Sequence, residues 1–103
     1  MNEGLIARRY AKALLKYAQE KDVTLPVYEA ARQVEASFIA RPDLQETLLN
    51  PVLNATQKEA LMLSAAGVDA ASSEEYLRFA RLLLHERRES YLRSIMLMYQ
   101  KLY

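Results

Sequence analysis

Apolar residues recur at spacings of three and four along almost the whole chain, which is the period of an amphipathic helix and not of a strand. In the first stretch Ile6, Tyr10, Ala13, Leu14 and Tyr17 share one face, with Arg8, Lys12, Lys16 and Gln19 in the polar strip. A second apolar row, Ala7, Ala11, Leu14 and Ala18, lies beside the first. The spacing predicts a helix over 4–20 whose apolar arc is wider than a single core contact requires. Lys21-Asp22 breaks the pattern. A second helix is predicted from Thr24, read as its cap, with Pro26 tolerated in the first turn. Its stripe is Val27, Ala30, Ala31, Val34, Phe38 and Ile39, and Arg41-Pro42 ends it because the residue before proline is pushed out of the helical region. A short third helix is predicted over 42–49, opened by Pro42, with Asp43 at its positive end and Asn50-Pro51 as its close.

Asn54 and Gln57 match a capping box and open a fourth helix. It runs through Ala60, Leu61, Leu63, Ser64 and Ala65 to Gly67, which is expected in a left-handed turn with Val68 as the apolar residue beyond it. Residues 68–72 read as a loop, and Ser72 with Glu75 as a second capping box. The fifth helix extends to Glu86 and carries Tyr76, Leu77, Phe79, Ala80, Leu82, Leu83 and Leu84. Three consecutive leucines span roughly 200° of a helix. One core face cannot absorb them, so this helix is buried on two sides or offers one side to a partner. The sixth, from Arg88 to the end, sets Tyr91, Leu92, Ile95, Met96, Tyr99, Leu102 and Tyr103 on one face. No glycine or proline separates the fifth and sixth helices, so one continuous helix stays open as an alternative to a hinge at Glu86-Arg87-Arg88-Glu89. Short connections favour antiparallel neighbours. The fold class expected is all-α, a compact six-helix bundle, with residues 1–103 forming one domain.

Composition agrees. Ala, Leu, Glu, Lys, Arg and Gln dominate, and these lose little entropy in a helix; glycine and proline number only 2 and 3. Lys plus Arg is 14 and Asp plus Glu is 13, a net charge of +1, without the basic excess of a dedicated nucleic-acid binder. The absence of cysteine excludes disulfides and thiolate metal sites. No apolar run approaches the roughly 20 residues that span a bilayer, and Met1 to Gly4 lacks the features of a signal peptide. A soluble, intracellular protein is expected.

Catalytic chemistry finds little support. His85, the single histidine, lies on a polar strip with Arg78 and Arg81, and a solvated role there is favoured over a catalytic one. One histidine without cysteine does not make a zinc site, and two glycines, Gly4 and Gly67, cannot make a phosphate loop. No catalytic residue, metal or cofactor is expected. Arg87-Arg88 is read as a solvated hinge flanked by Glu86 and Glu89 in preference to an anion contact. Arg8, Arg9, Lys12 and Lys16, with Arg87-Arg88, would serve the alternative reading, a small helical RNA-binding module; a charged face of an amphipathic helix is the preferred account. The seven tyrosines lie mostly on the apolar sides, where a ring can be buried while its hydroxyl stays wet. With the excess apolar width of the first and fifth helices, they point to a groove that an amphipathic helix can enter.

Three segments together resemble the delta subunit of F-type ATP synthases, the oligomycin-sensitivity-conferring protein family. They are Ala7-Arg8-Arg9-Tyr10-Ala11-Lys12-Ala13-Leu14; Leu48-Leu49-Asn50-Pro51-Val52-Leu53 with Lys58 downstream; and the leucine-rich stretch from Phe79 through Arg88 to Leu92. Two departures stand out. Glu86-Arg87 occupies the step before the hinge arginine where the family usually has Asn-Gly or Asn-Lys, and the C-terminal region of the family, which joins the b subunits of the peripheral stalk, is absent. The resemblance implies the N-terminal six-helix domain of a non-catalytic stator subunit. It sits at the cytoplasmic face of the bacterial inner membrane, contacts the membrane only indirectly through the complex, and binds no nucleic acid. The partner implied is the N-terminal helix of an alpha subunit, held in a groove between the first and fifth helices so that the head resists rotational torque. Tyr10, Ala13 and Leu82 match the family's groove positions. Ile6, Leu14, Tyr17, Phe79 and Leu83 join them from helical spacing alone.

Overall fold

The computed structural model describes residues 3–67 and 73–103. Among these the regular structure is six α-helices and one 3-10 turn, with no strand. The helices are α1 (Glu3–Glu20), α2 (Thr24–Ala40), α3 (Leu44–Leu49), α4 (Ala55–Ala66), α5 (Glu74–His85) and α6 (Leu92–Leu102), and the 3-10 turn, Glu89–Tyr91, leads into α6.

From Leu5 to Glu20, α1 contains no glycine or proline and one β-branched residue, Ile6, so nothing local opposes the helix. It ends in a Schellman motif. The Val23 N–H donates to the Ala18 carbonyl at 2.8 Å and the Asp22 N–H to that of Gln19 at 3.2 Å, with Asp22 in the left-handed region at φ 57°. Val23 then accepts from the Val27 N–H at 3.1 Å, so one residue closes α1 and opens α2. This corrects the expected Thr24 cap: Val23 holds the cap position without a side-chain bond, and Thr24 is already helical. The Thr24 carbonyl instead accepts the Tyr99 hydroxyl at 2.8 Å.

The third helix starts at Leu44, later than expected, because a turn closed by the Leu44 N–H on the Arg41 carbonyl, 3.0 Å, occupies Pro42 and Asp43. The Asn54–Gln57 capping box is present in both directions, at 2.8 and 2.9 Å. Gly67 follows α4 at φ 89°, a backbone conformation that favours glycine, and a Cβ there would crowd Gln33 Cγ at 3.2 Å. Val68 and Ser72 fall outside the described residues. The cap of α5 is Ser73, whose Oγ accepts the Tyr76 N–H at 3.3 Å.

The fifth and sixth helices are separate. A second Schellman motif ends α5: the Arg88 N–H reaches the Leu83 carbonyl at 2.7 Å and the Arg87 N–H that of Leu84 at 3.1 Å, with Arg87 at φ 58°. Two hydrogen bonds to otherwise orphaned carbonyls hold a non-glycine residue in a conformation that costs about 1–2 kcal/mol.

In space α6 lies between α1 and α2, α2 packs also on α4, and α4 on α5. Leu92, Ile95, Met96 and Tyr99 fix α6 in the core, against alanines of α1 and the Val27, Ala31 and Val34 stripe of α2. Polar bonds pin the layers. The Tyr76 hydroxyl donates to the Met62 carbonyl at 2.6 Å, Ser37 Oγ to the Ala65 carbonyl at 2.7 Å, and Gln100 Nε2 to Glu35 at 3.1 Å. Burial raises the pKa of Tyr76 well above its ordinary value and pushes Tyr99 up to about 12.

A furrow between the first and fifth helices

α1 and α5 lack close backbone packing and meet through side chains. Between them lies a cavity of about 290 Å³, lined by Ala13, Leu14 and Tyr17 from α1 and Arg78, Phe79 and Leu82 from α5. Leu14 and Phe79 are buried and form its floor. Ala13 is exposed and Leu82 is 43% exposed, so the banks are open to solvent. The consecutive leucines divide three ways: Leu83 enters the core, Leu84 is half-buried in a hollow with Ala55 and Thr56 of α4, and Leu82 faces the furrow.

Tyr10 closes one end. Its ring meets Phe79 edge-on, centroids 6.5 Å apart at 72°, and its hydroxyl donates to the Glu86 carboxylate. Burial first, and then the bond to Glu86, raise the pKa of that hydroxyl. At the other end Tyr17 is half-buried beside Arg78. The Arg78 guanidinium is held by Glu74 at 2.6 Å; the Glu74 charge chiefly, with help from the Tyr17 hydroxyl, raises its pKa. Since Tyr17 pairs with the start of α5 and Tyr10 with its end, the two helices run antiparallel.

Six of the eight residues selected from sequence, Tyr10, Ala13, Leu14, Tyr17, Phe79 and Leu82, come together along this furrow. Ile6 and Leu83 do not reach its surface. They are 3% and 0% exposed, because their positions on the helices turn them inward, and they support the walls from behind. Arg78 and Glu86 were missed as furrow residues. Helical spacing carried the signal, since each lies four residues from Leu82 and so beside it.

The other recurring residues hold the frame. Asn50 Oδ1 accepts the Val52 N–H at 3.0 Å in a turn that ends α3. Lys58 bonds Glu89 at 3.0 Å in a largely buried ion pair that ties α4 to the hinge. Arg88 lies over the Tyr91 ring, 5.6 Å from its centroid. His85 is exposed, and among the described residues no three histidine, cysteine or carboxylate side chains gather as metal ligands. No described helix is long and apolar enough to cross a membrane.

Fold and furrow together define a class: an all-helical bundle with an open apolar channel between its first and fifth helices. The family's sequence model, ATP synthase delta (OSCP) subunit, matches residues 6–103, and the chain belongs to that family. It is similar to the ATP synthase subunit delta of Bacteroides thetaiotaomicron, 45% identical over the whole chain and 55% of the relative. That of Phocaeicola vulgatus is 47% identical over 97% of this chain and 54% of the relative. That of Parabacteroides distasonis is 36% identical over the whole chain and 56% of the relative. The chain thus spans about half the length of the curated relatives it matches.

Proposed function

We propose that this chain is a non-catalytic adaptor in the stator of an F-type ATP synthase, and that its furrow holds the amphipathic N-terminal helix of an alpha subunit. The observation that carries this reading is a large apolar side chain, Leu82, left 43% exposed beside an exposed Ala13 above a buried apolar floor. Ala13 is small enough to let a third helix approach α1 closely. Leu82, Phe79 and Tyr17 offer it apolar contact. Family membership supports the same assignment. In this reading rotation of the central stalk exerts torque on the catalytic head, and the adaptor ties the head to the peripheral stalk so that the torque drives synthesis. Contact with the b subunits falls to sequence corresponding to the rest of the relatives. The chain works at the cytoplasmic face of the bacterial inner membrane, attached through the complex.

Such a tie depends on a slow dissociation rate, which buried aromatic and leucine anchors supply. Calorimetric titration with the N-terminal peptide of the cognate alpha subunit tests it. Saturable binding is expected, weakened by roughly 30-fold or more in Leu82→Asp, the loss typical of a central anchor. Undiminished binding by Leu82→Asp would overturn the reading.

A further inference from the structure

Between Glu3 and Glu20, α1 carries Arg8, Arg9, Lys12 and Lys16 and no carboxylate. All four are exposed, and none joins the ion pairs found among the described residues, Lys58–Glu89, Arg78–Glu74 and Arg81–Glu59. Arg9 and Lys16 are seven residues apart and lie roughly 40–60° around the helix from Ala13, so they run as a bank along the furrow. Arg9 is close enough to the Tyr10 phenol for its charge to oppose the rise in that group's pKa, and Arg88 acts on the same phenol. On the facing bank Arg78 lines the cavity itself. The nearby carboxylates are partly occupied: Glu86 accepts the Tyr10 hydroxyl and Glu74 holds Arg78, while Glu75 and Glu20 stand toward the Tyr17 end. Positive charge therefore predominates along the α1 bank and at the Tyr10 end.

We propose that the furrow selects a helix whose apolar stripe is flanked by carboxylates, which Arg9 and Lys16 meet as it docks; this rests on the helix-binding reading above. Charges at the rim of an apolar interface steer encounter and fix register more than they add affinity. RNA fits less well. The net charge is only +1, and the cations edge an apolar channel in which the Tyr10 ring is already engaged with Phe79.

Two synthetic helical peptides with one Leu/Ile stripe, one flanked by Glu and the other by Lys, test the proposal by fluorescence anisotropy. At about 50 mM salt the Glu-flanked peptide is expected to bind roughly ten-fold tighter, an advantage that closes at about 500 mM as screening sets in. The double variant Arg9→Glu/Lys16→Glu, its helical circular dichroism unchanged, should reverse the preference. Equal binding of both peptides at low salt, or displacement of the Glu-flanked peptide by an oligouridylate, would overturn it. Leu82→Asp separates the two levels. If it abolishes binding of both peptides while no charge preference is seen, the helix-binding reading survives and the charge selection fails. If both peptides bind Leu82→Asp normally, the furrow reading itself fails.

Discussion

The face of α1 turned to α6 and the face turned to α5 are built from similar residues and end differently. Toward α6, Ala7, Ala11 and Ala18 are 0–2% exposed, because α6 approaches closely enough to cover even these short side chains. Toward α5, Ala13 is the same residue type two positions from Ala11, and it is exposed. Among the described residues, no helix packs its backbone on that side as closely as α6 does on the other. Contact is made by single long side chains, Tyr10 to Phe79 and Glu86, Tyr17 to Arg78. Burial here is decided by the distance to the next helix and not by the hydrophobicity of the residue. A surplus of apolar arc on one helix becomes a closed seam on one side and an open channel on the other.

That contrast can be broken at several points. The largest effect is expected at the seam. Ile95→Ala, at a fully buried position, should cost about 2–5 kcal/mol in a urea denaturation. Leu82→Ala across the channel should cost under about 1 kcal/mol, since much of that side chain is already in water. Equal costs would mean that the channel is as closed as the seam. Next comes a matched pair on α1. Ala11→Leu should lose about 1–3 kcal/mol by overpacking. Ala13→Leu should stay within about 0.5 kcal/mol of the parent while blocking the helical peptide.

A smaller effect concerns pH. Tyr76 and Tyr99, both buried, have pKa values raised above the ordinary 10.0 of a tyrosine. The unfolded chain therefore releases these protons first, and their contribution to stability is complete below pH 10 and declines as pH rises through 12. Urea midpoints should be level up to pH 10 and fall above it, and Tyr99→Phe should flatten the fall. The last change expected is a gain. Arg87→Gly relieves a left-handed arginine and should raise stability by about 1 kcal/mol, read as a higher melting temperature.

Sequence made α2 and α6 legible because most of the apolar period of each matches what the core later buries: Leu92, Ile95, Met96 and Tyr99 on α6, and Val27, Ala30, Ala31, Val34 and Phe38 on α2. Ile39 of the α2 stripe is nonetheless 71% exposed. On α4 the core takes Met62, Ala65 and Ala66, of which the sequence pattern names only Ala65. Sequence made the Asn54–Gln57 box legible because that motif is closed within four residues. Helix ends settled by neighbours were not legible. Thr24 looks like a cap, yet the Schellman turn that ends α1 puts Val23 in the cap position and Thr24 already inside α2. Nor does any glycine announce the break at Arg87, where the turn holds arginine in a conformation that glycine would adopt freely. For the furrow, periodicity gave the side of each helix to within one or two positions. It could not tell Leu82, open to solvent, from Leu83, sealed behind it, because both belong to one wide apolar arc.

The most direct measurement is amide and methyl chemical-shift mapping by NMR as the cognate alpha-subunit N-terminal peptide is added to the 103-residue chain. The largest shifts should fall on Tyr10, Ala13, Tyr17, Phe79 and Leu82, with Ile95 and Met96 little changed. Shifts centred on another exposed apolar surface, such as Leu49 and Val52, with Ala13 and Leu82 unmoved, would contradict the assignment of the furrow as the partner site.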